Sequence, residues 1–174
     1  MAAVRCPWLV LMLQVVLLLA CSGAGAADEK LTHLRFYFHE VRTGAPNETS
    51  VLVASLNRTD SAFGDLKVFD NALREGADPS STLIGRARGL GMFASVDNSG
   101  GVTTLVFVFS NYGKYSGSTL ATLGHFTIPG VSERSIVGGT GVLRFARGYF
   151  ITEIVSSTSD YLVARLDMYF TTKL

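Results

Sequence analysis

Residues 31–41, LTHLRFYFHEV, switch faces at every step. Leu34, Phe36, Phe38 and Glu40 fall on one side of an extended chain, and His33, Arg35, Tyr37 and His39 on the other. A period of two belongs to the β-strand, because successive Cβ atoms point to opposite faces of a sheet. The pattern, rich in β-branched and aromatic residues, returns at 50–56, 66–70, 82–95, 102–110, 117–127, 133–137, 141–155 and 161–172. Turn signals separate these segments: TGAPN, GADPSS, DNSGG, NYGKYSG and IPG. No segment holds a helical period over three turns. The sequence predicts an all-β chain of antiparallel strands joined by short turns.

In DYLVARLDMYFT, Leu162, Ala164, Leu166, Met168 and Phe170 share one side, with Arg165 and Asp167 opposite. In TTLVFVFS both sides are apolar, so that strand is expected to be covered on both faces. A closed barrel whose outside also packs on something meets both conditions, and closure removes the sheet edges. A β-sandwich satisfies the same periodicity and stays open at this point.

The segment SIVGGTGVLRFARGYF, residues 135–150, is harder to reconcile with a buried strand. Read as extended, it places Arg144 with Val142, Ala146, Gly148 and Phe150, and Arg147 with Leu143, Phe145, Tyr149 and Ile151. In 82–95, Gly85, Ala87, Gly89 and Gly91 line one face, with Arg86 and Arg88 on the other. Faces this bare leave a barrel interior partly empty and able to hold a ligand. A buried arginine there needs a carboxylate or a bound anionic or polar ligand. Arg144 is accordingly expected to face a cavity.

The chain opens MAAVRCPWLVLMLQVVLLLACSGAGAA, in which Arg5 precedes an apolar run from Trp8 to Ala20 and small residues ending in Ala24-Gly25-Ala26. That order predicts a secretory signal peptide over residues 1–27. The apolar run is nearly long enough for a membrane anchor, and LLAC ending at Cys21 resembles a bacterial lipoprotein box. With cleavage, residues 28–174 form one domain long enough for a real core. Both cysteines, Cys6 and Cys21, leave with the leader, so no disulfide or thiolate is expected. Loss of Arg5 takes Lys+Arg from 15 to 14 against 14 Asp+Glu, a formal charge of zero. With no basic excess to neutralise phosphates, nucleic acid is not an expected partner, nor is a membrane once the leader is gone. Two sequons, Asn47-Glu48-Thr49 and Asn57-Arg58-Thr59, lie in polar stretches typical of surface loops and favour a secreted eukaryotic glycoprotein.

Glu40 is the acid that pattern alone singles out, since it ends the apolar face of Leu34, Phe36 and Phe38. A carboxyl held against aromatics keeps its proton to higher pH than one in water and can act as a donor. The competing reading turns Glu40 out to solvent at the strand end. Glu133, beside Arg134 and ahead of SIVGG, is a second acid or an exposed turn residue. His33, His39 and His125 lack metal-ligand spacing, and neither G-x-S-x-G nor H-E-x-x-H occurs. GGTG lacks the lysine of a phosphate loop and leads into an expected strand.

Taken together, LRFYFHE, VFDNALREGADPSSTLIGRARGL, FVFSNYGKYSGSTLATLGH and SIVGGTGVLRFARGYF, in this order and spacing, resemble the plant dirigent family over nearly all of 28–174. The resemblance implies an eight-stranded antiparallel β-barrel of the dirigent and allene oxide cyclase type. It also implies a homotrimer, secreted to the apoplast or cell wall, that needs no cofactor. Such proteins steer the coupling of phenoxy radicals from phenylpropanoid alcohols in lignan and lignin-type chemistry, and a separate laccase or peroxidase makes the radicals. Other members cyclise or dehydrate phenolics through quinone methides.

Carried over by position, the resemblance puts the family's two acids at Glu40 and Glu133 and its motif arginines at Arg86 and Arg147. Arg144 joins them from the strand argument, and Phe36 and Phe38 are expected against the substrate. The chain has glutamate at both acid positions, where lignan-forming members have aspartate, and it lacks their disulfide. The expected function is containment of a phenolic intermediate with proton transfer to a quinone methide. The alternatives are a cell-wall or plant-defence protein binding phenolics or glycans without turnover, and a monomeric lipocalin-like carrier.

Overall fold

The structure is a computed structural model, described here for residues 30–172. The expected leader, 1–27, lies outside the described residues. Nine strands follow one another: β1 (Thr32–Val41), β2 (Ser50–Ala54), β3 (Leu66–Arg74), β4 (Leu83–Phe93), β5 (Gly100–Phe109), β6 (Thr119–Thr127), β7 (Ser132–Thr140), β8 (Arg147–Ser157) and β9 (Tyr161–Thr171). Single 3-10 turns sit at Gly113–Tyr115 and Gly141–Leu143.

Every pairing is antiparallel, and the sheet closes because β1 pairs with β9 on one side and with β3 on the other. The outer edge of β3 is shared. Its first half pairs with β2, Ser50 opposite Phe69, and its second half with β1, Phe38 opposite Leu73. Eight strands therefore close the barrel, and β2 continues the edge that β1 leaves. Thr49 pins this junction: its hydroxyl accepts from the Val41 N–H at 2.9 Å and donates to Asn71 Oδ1. The closed sheet excludes the sandwich.

The expected faces hold. Leu34, Phe36, Leu166, Met168 and Phe170 are buried inside, while Arg35 and Arg165 lie outside. One end of the barrel is filled by rings. Phe36 meets Phe107, Phe109 and Tyr112 edge-on at centroid distances of 6.0, 5.7 and 6.1 Å, a favourable arrangement for aromatic quadrupoles. The other end is open. On β5, Leu105, Phe107 and Phe109 point in, and Val106 points out and is 38% exposed in the single chain.

One expected strand needs correction. Residues 141–155 are not continuous: Gly141–Leu143 form a 3-10 turn, Phe145 takes a φ of +65°, and β8 begins only at Arg147. The turn buries Leu143 and Ala146, three residues apart, a spacing that no single strand face can have. Gly141 is required there, with a φ of +62° and Ser118 Oγ only 2.5 Å from where a Cβ would sit. The Ser118 hydroxyl in turn accepts from the Val142 N–H at 3.2 Å. The face assigned to Arg144 in an extended strand therefore does not exist.

Candidate functional site

The open end holds a cavity of about 340 Å³, at the small end of the range for ligand sites. Its walls are aromatic because six strands each turn a phenylalanine inward: Phe38 from β1, Phe69 from β3, Phe93 from β4, Phe107 from β5, Phe126 from β6 and Phe150 from β8. Phe93 and Phe126 meet edge-on at 5.5 Å. The bare face of β4 does point inward, as its glycines predict. Its space is partly taken by a neighbour, since a Cβ on Gly91 would lie 2.9 Å from the Phe69 ring.

Among the described residues, four charged side chains line this cavity: Glu40, Arg42, Lys67 and Arg134. Glu40, half-buried, pairs across to Leu162 at the start of β9, so it ends its apolar face inside the barrel mouth. Arg42 donates to Ser157 Oγ at 2.8 Å, and Lys67 Nζ stands 6.0 Å from the Phe93 ring centre.

Arg134 differs from these three. It is only 9% exposed, donates from Nη1 to Thr103 Oγ1 at 2.9 Å and from Nη2 to Thr152 Oγ1, and lies 4.7 Å from the Phe150 ring centre. Burial pushes its guanidinium down to about 10. Its Nε hydrogen is buried without an acceptor. Gly124 makes the space, since a Cβ there would lie 2.8 Å from Arg134 Cγ.

The structure brings Phe38 and Glu40 to the cavity and leaves the other expected site residues outside its lining. Phe36 is fully buried in the ring cluster that fills the closed end. Glu133 is exposed, one step out of phase with Arg134 on β7. Arg86 lies on the outer face of β4, donating to Asp70 Oδ1 at 2.7 Å. Arg144 is an exposed turn residue and Arg147 an exposed residue at the start of β8. Arg144 is thus corrected from cavity wall to surface, because the turn at 141–146 removes the alternation that aimed it inward.

Sequence reasoning missed Arg134, although the signal was present: Ser132, Arg134 and Ile136 alternate on one face of β7 and all three are buried. The outer wall is a separate electrostatic system. Burial alone raises the Asp167 carboxyl, but hydrogen bonds from Arg35 and His33 outweigh it and hold the group below the usual carboxylate range. Among the described residues no three His, Cys, Asp or Glu side chains gather where they could hold a metal ion.

A family model described as Dirigent-like protein matches residues 31–171. Dirigent protein 1 of Arabidopsis thaliana is 46% identical over 131 residues, covering 72% of this chain and 70% of that protein. Pterocarpan synthase 1 of Glycyrrhiza echinata is 41% identical over 130 residues, covering 72% and 68%. The solved structure of the pterocarpan synthase dirigent protein GePTS1 superposes with a TM-score of 0.77 at 35% identity, over 85% of this chain and 88% of that one.

Proposed function

The chain belongs to the dirigent family, and from that premise we propose that its barrel holds an oxidised phenylpropanoid phenol and fixes the face on which the next bond forms. The observation that carries this reading is Glu40, the one carboxylate among the described residues that line a largely apolar cavity with three cations. An external laccase or peroxidase removes one electron from each phenol, and the phenolic proton passes to water. Two phenoxy radicals then join through a new carbon–carbon bond, and the product is a quinone methide.

Glu40 gives its proton to the quinone methide oxygen, which makes the methide carbon more electrophilic. A side-chain oxygen of the coupled product then adds to that carbon. A hydroxyl returns its proton to the Glu40 carboxylate, so that no net proton is consumed; a carboxylate closes the ring as an ester, and Glu40 takes one proton back from solvent. No electron is consumed in either case. The phenylalanine walls restrict which face is open, so that positioning adds to acid catalysis. The similarity to a pterocarpan synthase favours a second reading, in which the same acid serves a cofactor-free cyclisation or dehydration of a preformed phenolic.

The protein acts outside the cell as a homotrimer. Exposure of Asn47 and Asn57 supports glycan attachment at both, and the apolar outer face of β5 supports assembly. Laccase-oxidised coniferyl alcohol, resolved on a chiral column with and without the protein, tests the lead reading. The expected outcome is an enantiomeric excess that grows with protein concentration. A racemic product at every concentration removes this substrate and leaves the cyclisation reading to be assayed.

A further inference from the structure

We propose that the ligand of this cavity is anionic, a phenolic that carries a carboxylate seated against Arg134. The inference rests on the phenolic reading above and adds the charge of the substrate, which family membership leaves open. It begins with a contrast among the arginines. Arg35, Arg86 and Arg165 lie on the outer wall, and each holds a carboxylate, at 2.7 Å from Asp167, 2.7 Å from Asp70 and 2.6 Å from Glu153. Arg134 is the most enclosed of the four, and among the described residues no carboxylate lies within ion-pair reach of it. Stability alone would favour the opposite distribution, because solvent screens an unpaired surface charge and does not screen a buried one.

What surrounds Arg134 positions it without neutralising it. Thr103 and Thr152 each accept one hydrogen bond, and Phe150 supplies a ring. Nε–H remains buried and unpartnered. A guanidinium whose fork is held from two sides, with a donor to spare and no counter-charge, is suited to a planar carboxylate. The rest of the lining agrees, since two further cations, Arg42 and Lys67, stand there with one acid, Glu40. Although burial lowers Arg134 to about 10, it stays charged at neutral pH. A phenol hydroxyl cannot supply the counter-charge, because at an ordinary value near 10 it is neutral at pH 7. The anionic group must therefore be a separate substituent, as at the side-chain end of a hydroxycinnamate.

Calorimetric titration at pH 7 with three matched probes tests this: ferulate, its neutral counterpart coniferyl alcohol, and trans-cinnamate, which has the carboxylate without the phenol. Wild-type protein is expected to bind ferulate at least about tenfold more tightly than coniferyl alcohol. In Arg134→Met that gap should close through loss of ferulate affinity, with the alcohol unchanged. Arg134→Lys keeps the charge without the fork and should retain only part of the preference. Should neither variant fold, the wild-type comparison still decides.

Coniferyl alcohol binding as tightly as ferulate overturns the anionic ligand and leaves the phenolic reading standing. A ferulate preference that survives in Arg134→Met also overturns it. Trans-cinnamate binding through Arg134 while both phenols fail keeps the anion site and removes the phenolic reading. Failure of all three removes both.

Discussion

Glu133 and Arg134 are adjacent in sequence and separated by the barrel wall. One step along a strand is half a period, so the acid faces solvent and the base faces the cavity. Glu40 is the residue on which face pattern and geometry meet. Glu40→Gln preserves shape and hydrogen-bonding capacity but cannot deliver a proton. On a confirmed substrate it should fold normally and lose about a hundredfold to ten-thousandfold in product formation. Wild-type turnover or selectivity in that variant would remove Glu40 from the mechanism.

Arg134 makes a prediction about stability. Its displacement down to about 10 from the ordinary guanidinium range corresponds to a burial penalty of about 3 kcal/mol at roughly 1.4 kcal/mol per pH unit. Because the folded value lies below the unfolded one, the penalty is in full force below about 10 and fades as pH rises towards the ordinary guanidinium value. Arg134→Met discards it, along with two hydrogen bonds to threonine. Thermal melts at pH 7 should show the variant more stable by about 1–3 kcal/mol, the direction seen when buried charges are replaced by apolar side chains. A lower melting temperature would mean that Arg134 is held for structure.

At the scale of elements, β6 and β7 form one device. Gly124 on β6 leaves the volume that Arg134 on β7 fills, with Arg134 Cγ, Cβ and Cα lying 2.8, 3.0 and 3.1 Å from the missing Cβ. Two of those atoms are near or in the backbone and cannot swing aside. Gly124→Ala should therefore cost about 1–3 kcal/mol, as overpacking does, and weaken whatever Arg134 binds. Chemical denaturation and ligand titration of one variant measure both effects.

On the outer face of β1, His39 Nε2 donates to the Gly76 carbonyl at 3.0 Å and ties down the turn between β3 and β4. Burial holds the His39 imidazole below its ordinary value, and its hydrogen bond only partly offsets that. Since the folded value is the lower one, this stability is whole above about pH 6.5 and is lost as pH falls through the folded value. Melting temperature should drop between pH 7 and pH 5, and His39→Gln should flatten that drop. The loss tied to Asp167 belongs to a separate window, below its unfolded value near 3.8.

For the whole molecule, the outer wall of β4, β5 and β6 is the surface left unfinished. Met92, Val102 and His125 stand in register across it, as do Leu90, Thr104 and Leu123. Met92, Val106 and Leu123 are 40, 38 and 49% exposed in the single chain. An apolar strip over three neighbouring strands is the kind of surface that association covers, and we assign the proposed trimer contact to it. If this strip is the interface of the homotrimer proposed above, Leu123→Asp, which points away from the cavity, should shift light scattering from trimer to monomer without unfolding the barrel. An unchanged trimer would place the interface elsewhere.

The local alternation LTHLRFYFHEV determined a strand with Leu34, Phe36 and Phe38 on one face and left Glu40 at its end open, and the same period in DYLVARLDMYFT determined the faces of the strand that pairs with it. These faces depend only on the pleat, which is a property of neighbouring residues, so the sequence alone sufficed. Closure did not follow from it. The pairing of Phe38 with Leu73, which turns a sheet into a barrel, joins segments whose contact no local pattern encodes. Nor did the fate of 141–146, where Ser118, on a distant stretch of chain, selects a turn for residues that alternate well enough to be a strand. That turn took Arg144 out of the site. The carboxylate-free environment of Arg134 likewise depends on β5, β6 and β8 meeting around β7. Whether a charge is paired is a question of what lies within a few ångströms, and only the folded chain decides it.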